Sequence, residues 1–229
     1  MKWRTGIAVV VVVSASAASV SAQTSERGMR PRHRAPYNAV ELGVGLGYTQ
    51  GFGGIGTAPS TMSSVAGAGF GVGVDAGYRA SPRLSAGLSG QFQEFNALGD
   101  GSARGATVGL QATYHLAPFS RLDPYVSGGA GYRLLWDHPA GPRNDRLLHG
   151  PELAKLKIGL DVRATESLAL GPAVGADLSM FLWNNPEGRA GNAMIRPKVS
   201  TFVYAGLEGR FDIGGRRVLE TPLKASARR

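Results

Sequence analysis

The stretch KLKIGLDVRA, residues 155–164, alternates residue by residue between two kinds of side chain. Leu156, Ile158, Leu160 and Val162 fall on one face, while charged residues and a glycine fall on the other. Side chains alternate across a β-strand, whereas an amphipathic helix repeats its apolar residues every three or four positions. The stretch therefore predicts a strand with one apolar face and one polar face.

Seven further segments alternate in the same way, and the connections between all eight are long and short by turns. A strand that crosses a bilayer needs about 9–11 residues, and outer-membrane barrels join such strands by short periplasmic turns and longer outside loops. The predicted fold class is all-β, an eight-stranded antiparallel up-and-down transmembrane β-barrel. Its predicted strands are 37–50, 64–79, 83–95, 104–116, 124–136, 153–164, 167–183 and 197–212.

The N-terminus carries the pattern of a secretory signal peptide. A charged start precedes a short apolar run, and small residues lead to a predicted cleavage between Ala22 and Gln23. Eight strands return the chain to the side on which it began, so we expect both termini in the periplasm. The predicted domains are a signal peptide at 1–22, a basic periplasmic arm at 23–36, the barrel at 37–212 and a basic periplasmic tail at 213–229.

The net charge of +9 lies mostly at the two ends of the chain. Between Tyr37 and Phe211 there are 14 Lys and Arg residues against 13 Asp and Glu residues, so the barrel itself is nearly neutral. A nucleic-acid partner is therefore not expected, because a folded basic face is missing. The absence of cysteine leaves no disulfide framework and no thiolate chemistry.

Most charged side chains of the strands fall on the face opposite the apolar one. A Lys or Arg on the lipid face near mid-bilayer costs roughly 2–4 kcal/mol, so we place these side chains in the lumen. Buried charges need partners, and we therefore expect an ion network there. Its predicted members are Glu41, Asp75, Arg133, Lys155, Lys157, Asp161, Arg163, Asp177, Lys198, Glu208 and Arg210.

The lumen is expected to be filled by side chains and polarised along its axis. Glycines of the first two strands, such as Gly45 and Gly73, face large side chains such as Tyr125 across a barrel only wide enough for side chains. Strand direction predicts a surplus of positive charge in the outer half and a paired network in the inner half. The predicted outer cations are Arg133, Lys155, Lys157 and Lys198.

Outward-facing aromatic residues fall near both ends of the strands, as in the girdles of membrane barrels. The predicted periplasmic girdle is Tyr78, Tyr114 and Phe211, and the predicted outer girdle is Tyr48, Phe92, Tyr132 and Trp136. A soluble eight-stranded calyx of the lipocalin kind shares the alternation. Its exterior would then carry Gly43, Gly45 and Gly47, which are poor strand residues on a soluble surface.

The segments PYVSGGAGY (124–132) and GLDVRATESLALG (159–171) resemble strands and a hairpin of small outer-membrane barrels. The chain resembles the eight-stranded superfamily that includes the OmpA transmembrane domain, OmpX and OmpW over about residues 37–211. This resemblance implies barrel-assembly machinery as a partner, whose signal in the last strand is matched by Tyr204, Gly206 and Phe211. Gly209 stands where that signal has an apolar residue, and the tail is too short for a peptidoglycan-binding domain.

Three other motifs are assigned no chemistry. The sequence GFGGIG at 51–56 spells a dinucleotide-binding pattern but lies in a connection between strands rather than before a helix. His115 faces the lumen and is interpreted as a hydrogen-bonded residue, since no His-x-Ser pair of the lipid-modifying barrel enzymes is present. A metal site formed within one loop is less favoured than ordinary loop polarity. Its residues would be Asp137, His138, Asp145 and His149.

The leading hypothesis is a non-enzymatic, monomeric outer-membrane protein of a Gram-negative cell envelope. Its role would be structural or interactive and would work through the four outer loops, since loops on a rigid scaffold commonly carry binding. The expected partners are outer-membrane lipid, lipopolysaccharide and the assembly machinery, and no catalytic residue, cofactor or metal is predicted. The alternatives are a narrow OmpW-like conduit for small or hydrophobic solutes and, less favoured, a lipid-modifying barrel enzyme.

Overall fold

The alternating segments form long antiparallel strands. The computed structural model describes residues 35–56, 61–97, 101–140 and 144–217, so the predicted signal peptide, its cleavage site, most of the N-terminal arm and most of the tail lie outside the described residues. The strands are β1 Tyr37–Gly53, β2 Gly69–Arg79, β3 Leu84–Asn96, β4 Ser102–His115, β5 Leu122–His138, β6 Arg146–Arg163, β7 Leu168–Met180, β8 Trp183–Pro186, β9 Asn192–Ala193 and β10 Val199–Arg216, and a four-residue helix, α1, spans Met62–Val65.

Eight of these strands close into a ring. Each strand from β1 to β6 pairs antiparallel with the next, β7 pairs with β10, and β10 pairs with β1. The short strand β8 pairs with the first residues of β6 and forms a small hairpin with β9 beyond the ring. The predicted eight-stranded antiparallel barrel is confirmed.

The two faces of the barrel are reversed relative to a soluble protein. On β1, Leu42, Val44 and Leu46 are 41–58% exposed, whereas Glu41 on the opposite face is 9% exposed. The same alternation runs through the other barrel strands, with apolar residues outside and charged residues inside. These are the faces of a membrane-spanning barrel, and a soluble calyx is excluded.

The connections sort into two ends of the barrel. Residues 80–83, 116–121 and 164–167 form short turns at one end, which we call the turn end, and both described chain termini lie there. The longer connections, together with β8, β9 and α1, lie at the other end, which we call the loop end. No helix among the described residues is long and apolar enough to cross a bilayer.

Two predicted strand boundaries are wrong. Residues 64–68 are a helical turn and a bend, because Met62, Val65 and Ala66 turn inward and pack in the barrel mouth. Residues 146–152, predicted as loop, begin β6. A bulge between Glu152 and Ala154 moves the inward positions from even to odd numbers, so the period of two is broken there.

The loop end is closed by an apolar cluster, which we call the apolar plug. The α1 turn delivers Met62 and Val65 into the mouth, where they meet aromatic side chains of three strands or their extensions. The apolar plug is not predicted from the sequence, because the long connections between the predicted strands are interpreted there as polar loops. The buried members of the plug are Ile55, Met62, Val65, Ala66, Phe95, Ala103, Leu135, Leu148, Phe181 and Phe202.

The turn end is crossed by the first described residues of the chain. Ala35 is fully buried, and its N–H donates a hydrogen bond of 2.8 Å to the carbonyl oxygen of Pro118 in the β4–β5 turn. Because β1 and this turn belong to different parts of the ring, the segment 35–36 lies across the barrel opening. Both ends of the lumen are therefore covered.

The packing of Tyr125 predicts that replacing Gly159 destabilises the barrel. Its ring stands over Gly159 on the neighbouring strand and is held by a hydrogen bond of 2.7 Å to Glu208, so a Cβ at Gly159 would overlap the ring. Gly159→Ala should reduce the free energy of unfolding by about 1–3 kcal/mol, as overpacking does. Gly128→Ala is the matched control, because Gly128 faces outward with 3.9 Å to the nearest atom. Urea unfolding in lipid measures both, and equal losses would contradict the packing argument.

Candidate functional site

Buried charged side chains occupy the lumen along much of its length. Ten of the eleven residues predicted for the ion network lie on barrel strands with inward-facing positions. Lys198 is the exception, because it precedes β10 and lies exposed over Gly54 at the loop end. Lys155 is half-buried beside a small cavity, and among the described residues no ion pair includes Lys155 or Lys198.

The turn half of the lumen holds a network built on Arg79 and Asp212. The guanidinium of Arg79 pairs with the Glu41 carboxylate and lies 3.3 Å from Asp212 Oδ1. Arg163 donates a hydrogen bond of 3.0 Å to Asp212 Oδ2 from the other side. Arg210 lies 3.4 Å from Glu41 Oε1. Each buried charge in this group therefore has an opposite charge beside it, which such burial requires.

The middle of the lumen is held by Lys157. Its ammonium donates to Glu208 Oε1 at 2.7 Å and to Asp75 Oδ2 at 3.2 Å, linking β6 to β10 and β2. The Tyr125 hydroxyl donates to Glu208 Oε2 at 2.7 Å. The guanidinium of Arg210 stacks on the Tyr125 ring, 3.8 Å from its centroid. The side chains of four barrel strands thus meet across the lumen in one hydrogen-bonded group.

Arg133 forms the boundary between the polar lumen and the apolar plug. It is fully buried and donates to Asp177 Oδ2 at 2.9 Å and to Gln93 Oε1 at 2.7 Å. Glu152 Oε2 lies 3.5 Å away. On its other side the guanidinium lies 3.8 Å from the ring centroid of Phe202, a member of the plug. One cation therefore satisfies two carboxylates and also closes the apolar cluster by a cation–π contact.

Four charged partners in the lumen are missing from the predicted network. Arg79 and Asp212 are the last residues of the predicted strands 64–79 and 197–212 and follow the inward parity, so the alternating pattern already indicates both. Asp123 falls in a predicted turn, yet it lies in β5 and is fully buried. Glu152 has no sequence signal, because only the bulge turns it inward.

The predicted surplus of positive charge in the outer half is wrong. Lys157 neutralises Asp75 and Glu208, and Lys198 lies outside the lumen. Towards the loop end, Arg133 and Lys155 are balanced by Asp177 and by Glu152, a residue predicted to lie in a loop. The described lumen therefore has no positive pole at this end.

The space left between the described lumen side chains is small. The cavity in the middle of the lumen has a volume of about 30 Å³, room for about two water molecules. Gly45 faces Glu208 and the Tyr204 hydroxyl, so a glycine stands where the neighbouring strand β10 carries large side chains. The cavity is lined in part by Gly45, Gly73, Asp75, Lys155, Lys157 and Tyr204.

The aromatic residues predicted for the girdles lie outward near the two ends of the barrel. Trp136 is only partly exposed, whereas the other six are 36% exposed or more. In the last strand, Phe211 points outward and Tyr204 points inward, where its hydroxyl donates to the carbonyl oxygen of Leu46 at 3.3 Å. Leu170 packs over Gly209, so a neighbouring side chain covers the position at which the assembly signal has an apolar residue.

The three motifs without assigned chemistry have separate locations. His138 pairs with Asp145 at 2.6 Å, whereas His149 contacts Tyr132 and stacks on Trp183, so the loop residues considered for a metal do not converge. The glycine-rich stretch at 51–56 continues β1 to Gly53 and does not begin a helix. His115 is buried inside the barrel, hydrogen-bonded to Asp123.

The different environments of two neighbouring lysines predict different effects of the same substitution. Lys157→Gln removes the cation between Asp75 and Glu208 and should cost about 3 kcal/mol of unfolding free energy, because it strands buried carboxylates. Lys155→Gln, on the same strand face, should change it by less than about 0.5 kcal/mol. Urea unfolding of the refolded variants measures both, and similar losses would show that the Lys157 ion pairs do not stabilise the barrel.

Comparison with known proteins finds likenesses among solved structures. Neither a protein-family model nor a curated protein sequence matches it. Among solved structures, it is similar to Neisserial surface protein A (13% identity, covering 75% of this chain and 96% of that one, TM-score 0.49). It is also similar to the N-terminal β-barrel domain of Pseudomonas aeruginosa OprF, with 16% identity, covering 78% of this chain and 99% of that one, at a TM-score of 0.45. A further similar structure is the outer membrane protein AlkL, with 16% identity, covering 85% of this chain and 100% of that one, at a TM-score of 0.49. The eight-stranded closure, the apolar exterior and the charged interior of this chain are themselves those of a transmembrane barrel of the outer-membrane type.

Proposed function

We propose that this protein is a non-enzymatic outer-membrane barrel with a structural or surface-interaction role carried by its loop end. The observation that supports this role most directly is the closed lumen. Ion pairs fill its middle, the apolar plug covers one end and the segment 35–36 covers the other. A barrel without an open interior acts through its outer surface and its loops.

The exterior supports a position in the outer membrane. Large apolar residues such as Leu88, Leu110 and Leu156 are 59–68% exposed, and the aromatic residues lie towards the two ends of this apolar belt. Membrane barrels place their short turns in the periplasm and their longer loops outside. With this orientation the turn end, and with it both termini, is periplasmic, and lipopolysaccharide surrounds the loop end.

The loop end has the properties of a presentation surface. The strands β5 and β6 extend past the ring, and the β8–β9 hairpin continues this sheet. Behind the hairpin, Ile195 is 83% exposed and is followed by the exposed basic residues Arg196 and Lys198. A rigid scaffold that carries exposed loops is the usual arrangement for recognition, so we propose this end as the contact surface for lipopolysaccharide or an external partner.

The alternatives receive less support. A conduit would need a continuous path, and the cavity of about 30 Å³ lies between ion pairs and the apolar plug. A lipid-modifying enzyme of the expected kind would pair a histidine with a serine. Here His115 bonds Asp123, while the nearby Ser127 hydroxyl bonds Thr113 at 2.6 Å. A monomeric barrel inserted by the barrel-assembly machinery through its last strand remains part of the proposal.

The absence of cysteine allows the orientation to be tested with single introduced thiols. Ala190→Cys places a thiol in the exposed β8–β9 connection, and Ala164→Cys places one in an exposed short turn. A membrane-impermeant maleimide should label Ala190→Cys in intact cells and Ala164→Cys only after the outer membrane is opened. The reverse pattern would overturn the orientation, and labelling of neither variant in purified outer membranes would overturn the location.

The filled lumen predicts an electrically silent barrel. Refolded protein in planar bilayers should give no steady conductance at the level of a porin measured in the same bilayer. Met62→Ser should stay silent too, because Arg133 and its carboxylates lie beneath the plug. Steady porin-level conductance of the unmodified protein would favour the conduit instead.

A further inference from the structure

A histidine and two aspartates converge at the turn end of the lumen. His115 is the last residue of β4, Asp123 lies near the start of β5, and Asp161 lies near the end of β6. Asp123 and Asp161 stand directly opposite each other in the β5–β6 pairing, and both are at most 1% exposed. Like charges directly opposite in a sheet repel each other. The sequence therefore places two buried aspartates where a neutralising group is needed.

The three side chains present their ligand atoms to one point. One ligand atom from each side chain, the imidazole Nδ1 or Nε2 and a carboxylate oxygen, lies within 4.8 Å of the other two. The Nδ1 atom of His115 is 2.9 Å from Asp123 Oδ2 and 3.9 Å from Asp161 Oδ2. Asp161 Oδ2 has no hydrogen-bond partner, although it is buried. An unpartnered buried carboxylate oxygen is costly, and here it points at the imidazole and the second carboxylate.

The surroundings orient these groups as the outer partners of a metal site do. The Nε2 atom of His115 faces Glu41 Oε2 at 3.8 Å, and Asp123 Oδ1 accepts the Ala117 N–H at 2.9 Å. A metal-binding histidine commonly directs its second nitrogen at a carboxylate, and ligating carboxylates are themselves hydrogen-bonded. Asp123 is hydrogen-bonded in this way, and the Glu41 carboxylate lies on the Nε2 side of His115 without a hydrogen bond. The Nδ1 atom of His115 and the Oδ2 atoms of both aspartates face one another, and Nδ1 and Asp123 Oδ2 share a hydrogen bond.

We propose that His115, Asp123 and Asp161 bind one divalent transition-metal ion, of which Zn²⁺ is the best match. One imidazole nitrogen and two carboxylate oxygens form a donor set that suits Zn²⁺ and its neighbours, and three protein ligands leave one position of a tetrahedron for water. The ion takes the place of the hydrogen bond between His115 Nδ1 and Asp123 Oδ2, and the imidazole keeps its one proton on Nε2, which faces Glu41. It joins β4, β5 and β6 at a point where side chains alone repel.

The excess of carboxylates over cationic side chains in the turn half of the lumen favours a bound metal ion over a histidine that is only hydrogen-bonded. Arg79 and Arg163 are directed at Glu41 and Asp212, and Arg210 lies 3.6 Å from Asp161 Oδ2, too far for a hydrogen bond. Protonation of His115 supplies one positive charge, whereas a divalent ion supplies two. Among the described lumen residues from the turn end to the middle, six carboxylates face four cationic side chains. The carboxylates are Glu41, Asp75, Asp123, Asp161, Glu208 and Asp212, and the cations are Arg79, Lys157, Arg163 and Arg210.

The test compares zinc retention and stability in matched variants. The purified protein is unfolded in urea with EDTA, refolded into detergent micelles with or without Zn²⁺, and dialysed. We expect one zinc per chain in the unmodified protein and at least a tenfold lower content in His115→Gln. His138→Gln is the control, because its histidine forms an exposed pair with Asp145 at the loop end and should retain full zinc.

The variant Asp161→Asn distinguishes a metal ligand at this position from an aspartate that only stabilises the fold. Without Zn²⁺ this variant should unfold at the same or a higher urea concentration than the unmodified protein, because the repulsion with Asp123 is gone. With Zn²⁺ the unmodified protein should shift to higher urea and Asp161→Asn should not. Co²⁺ should give a visible absorption band in the unmodified protein that is absent in Asp161→Asn. Equal unfolding with and without Zn²⁺ in the unmodified protein, or full zinc retention by His115→Gln, would overturn the proposal.

Discussion

The pairing of β10 with β1 is the constraint on which the rest of this structure depends. In a bilayer no water satisfies a free strand edge, so every strand needs two neighbours and the sheet must close. Closure with eight strands leaves an interior only as wide as the side chains that fill it. Each inward residue must therefore fit the side chains of the neighbouring strands. Gly159 beneath Tyr125 and Gly45 beside Glu208 are the clearest cases.

The same closure determines the content of the interior. The outward face must be apolar, so polar side chains of the strands are directed inward, where little water remains. Arginine is suited to this place because one guanidinium serves several acceptors and also stacks on a ring. Arg133 contacts two carboxylates, an amide and Phe202, and Arg210 contacts carboxylates and Tyr125. Arg133 and Arg210 thus connect the ion pairs of the lumen with the aromatic rings of Phe202 and Tyr125.

A period of two and the lengths of the connections are the two patterns that the sequence makes visible. They predict strand number, direction and face, and with these the inward position of Glu41 or Arg210. They do not predict Glu152, because a bulge reverses the parity of β6 at that point, nor the apolar plug, because α1 is one turn long. The meeting of Asp123 and Asp161 depends on the register of β5 against β6, which a single alternating pattern leaves open.

The hydrogen bond from Ala35 to Pro118 separates the exit points of the two basic segments. The C-terminal segment leaves the barrel from β10, next to β1, where Arg217 contacts Glu166 of the β6–β7 turn. The N-terminal segment instead passes beneath the opening and meets the β4–β5 turn. The described part of the chain thus begins under one sector of the ring and leaves from another. The crossing can also form only after β4 and β5 have been joined, which makes it a late step of assembly although it belongs to the beginning of the chain.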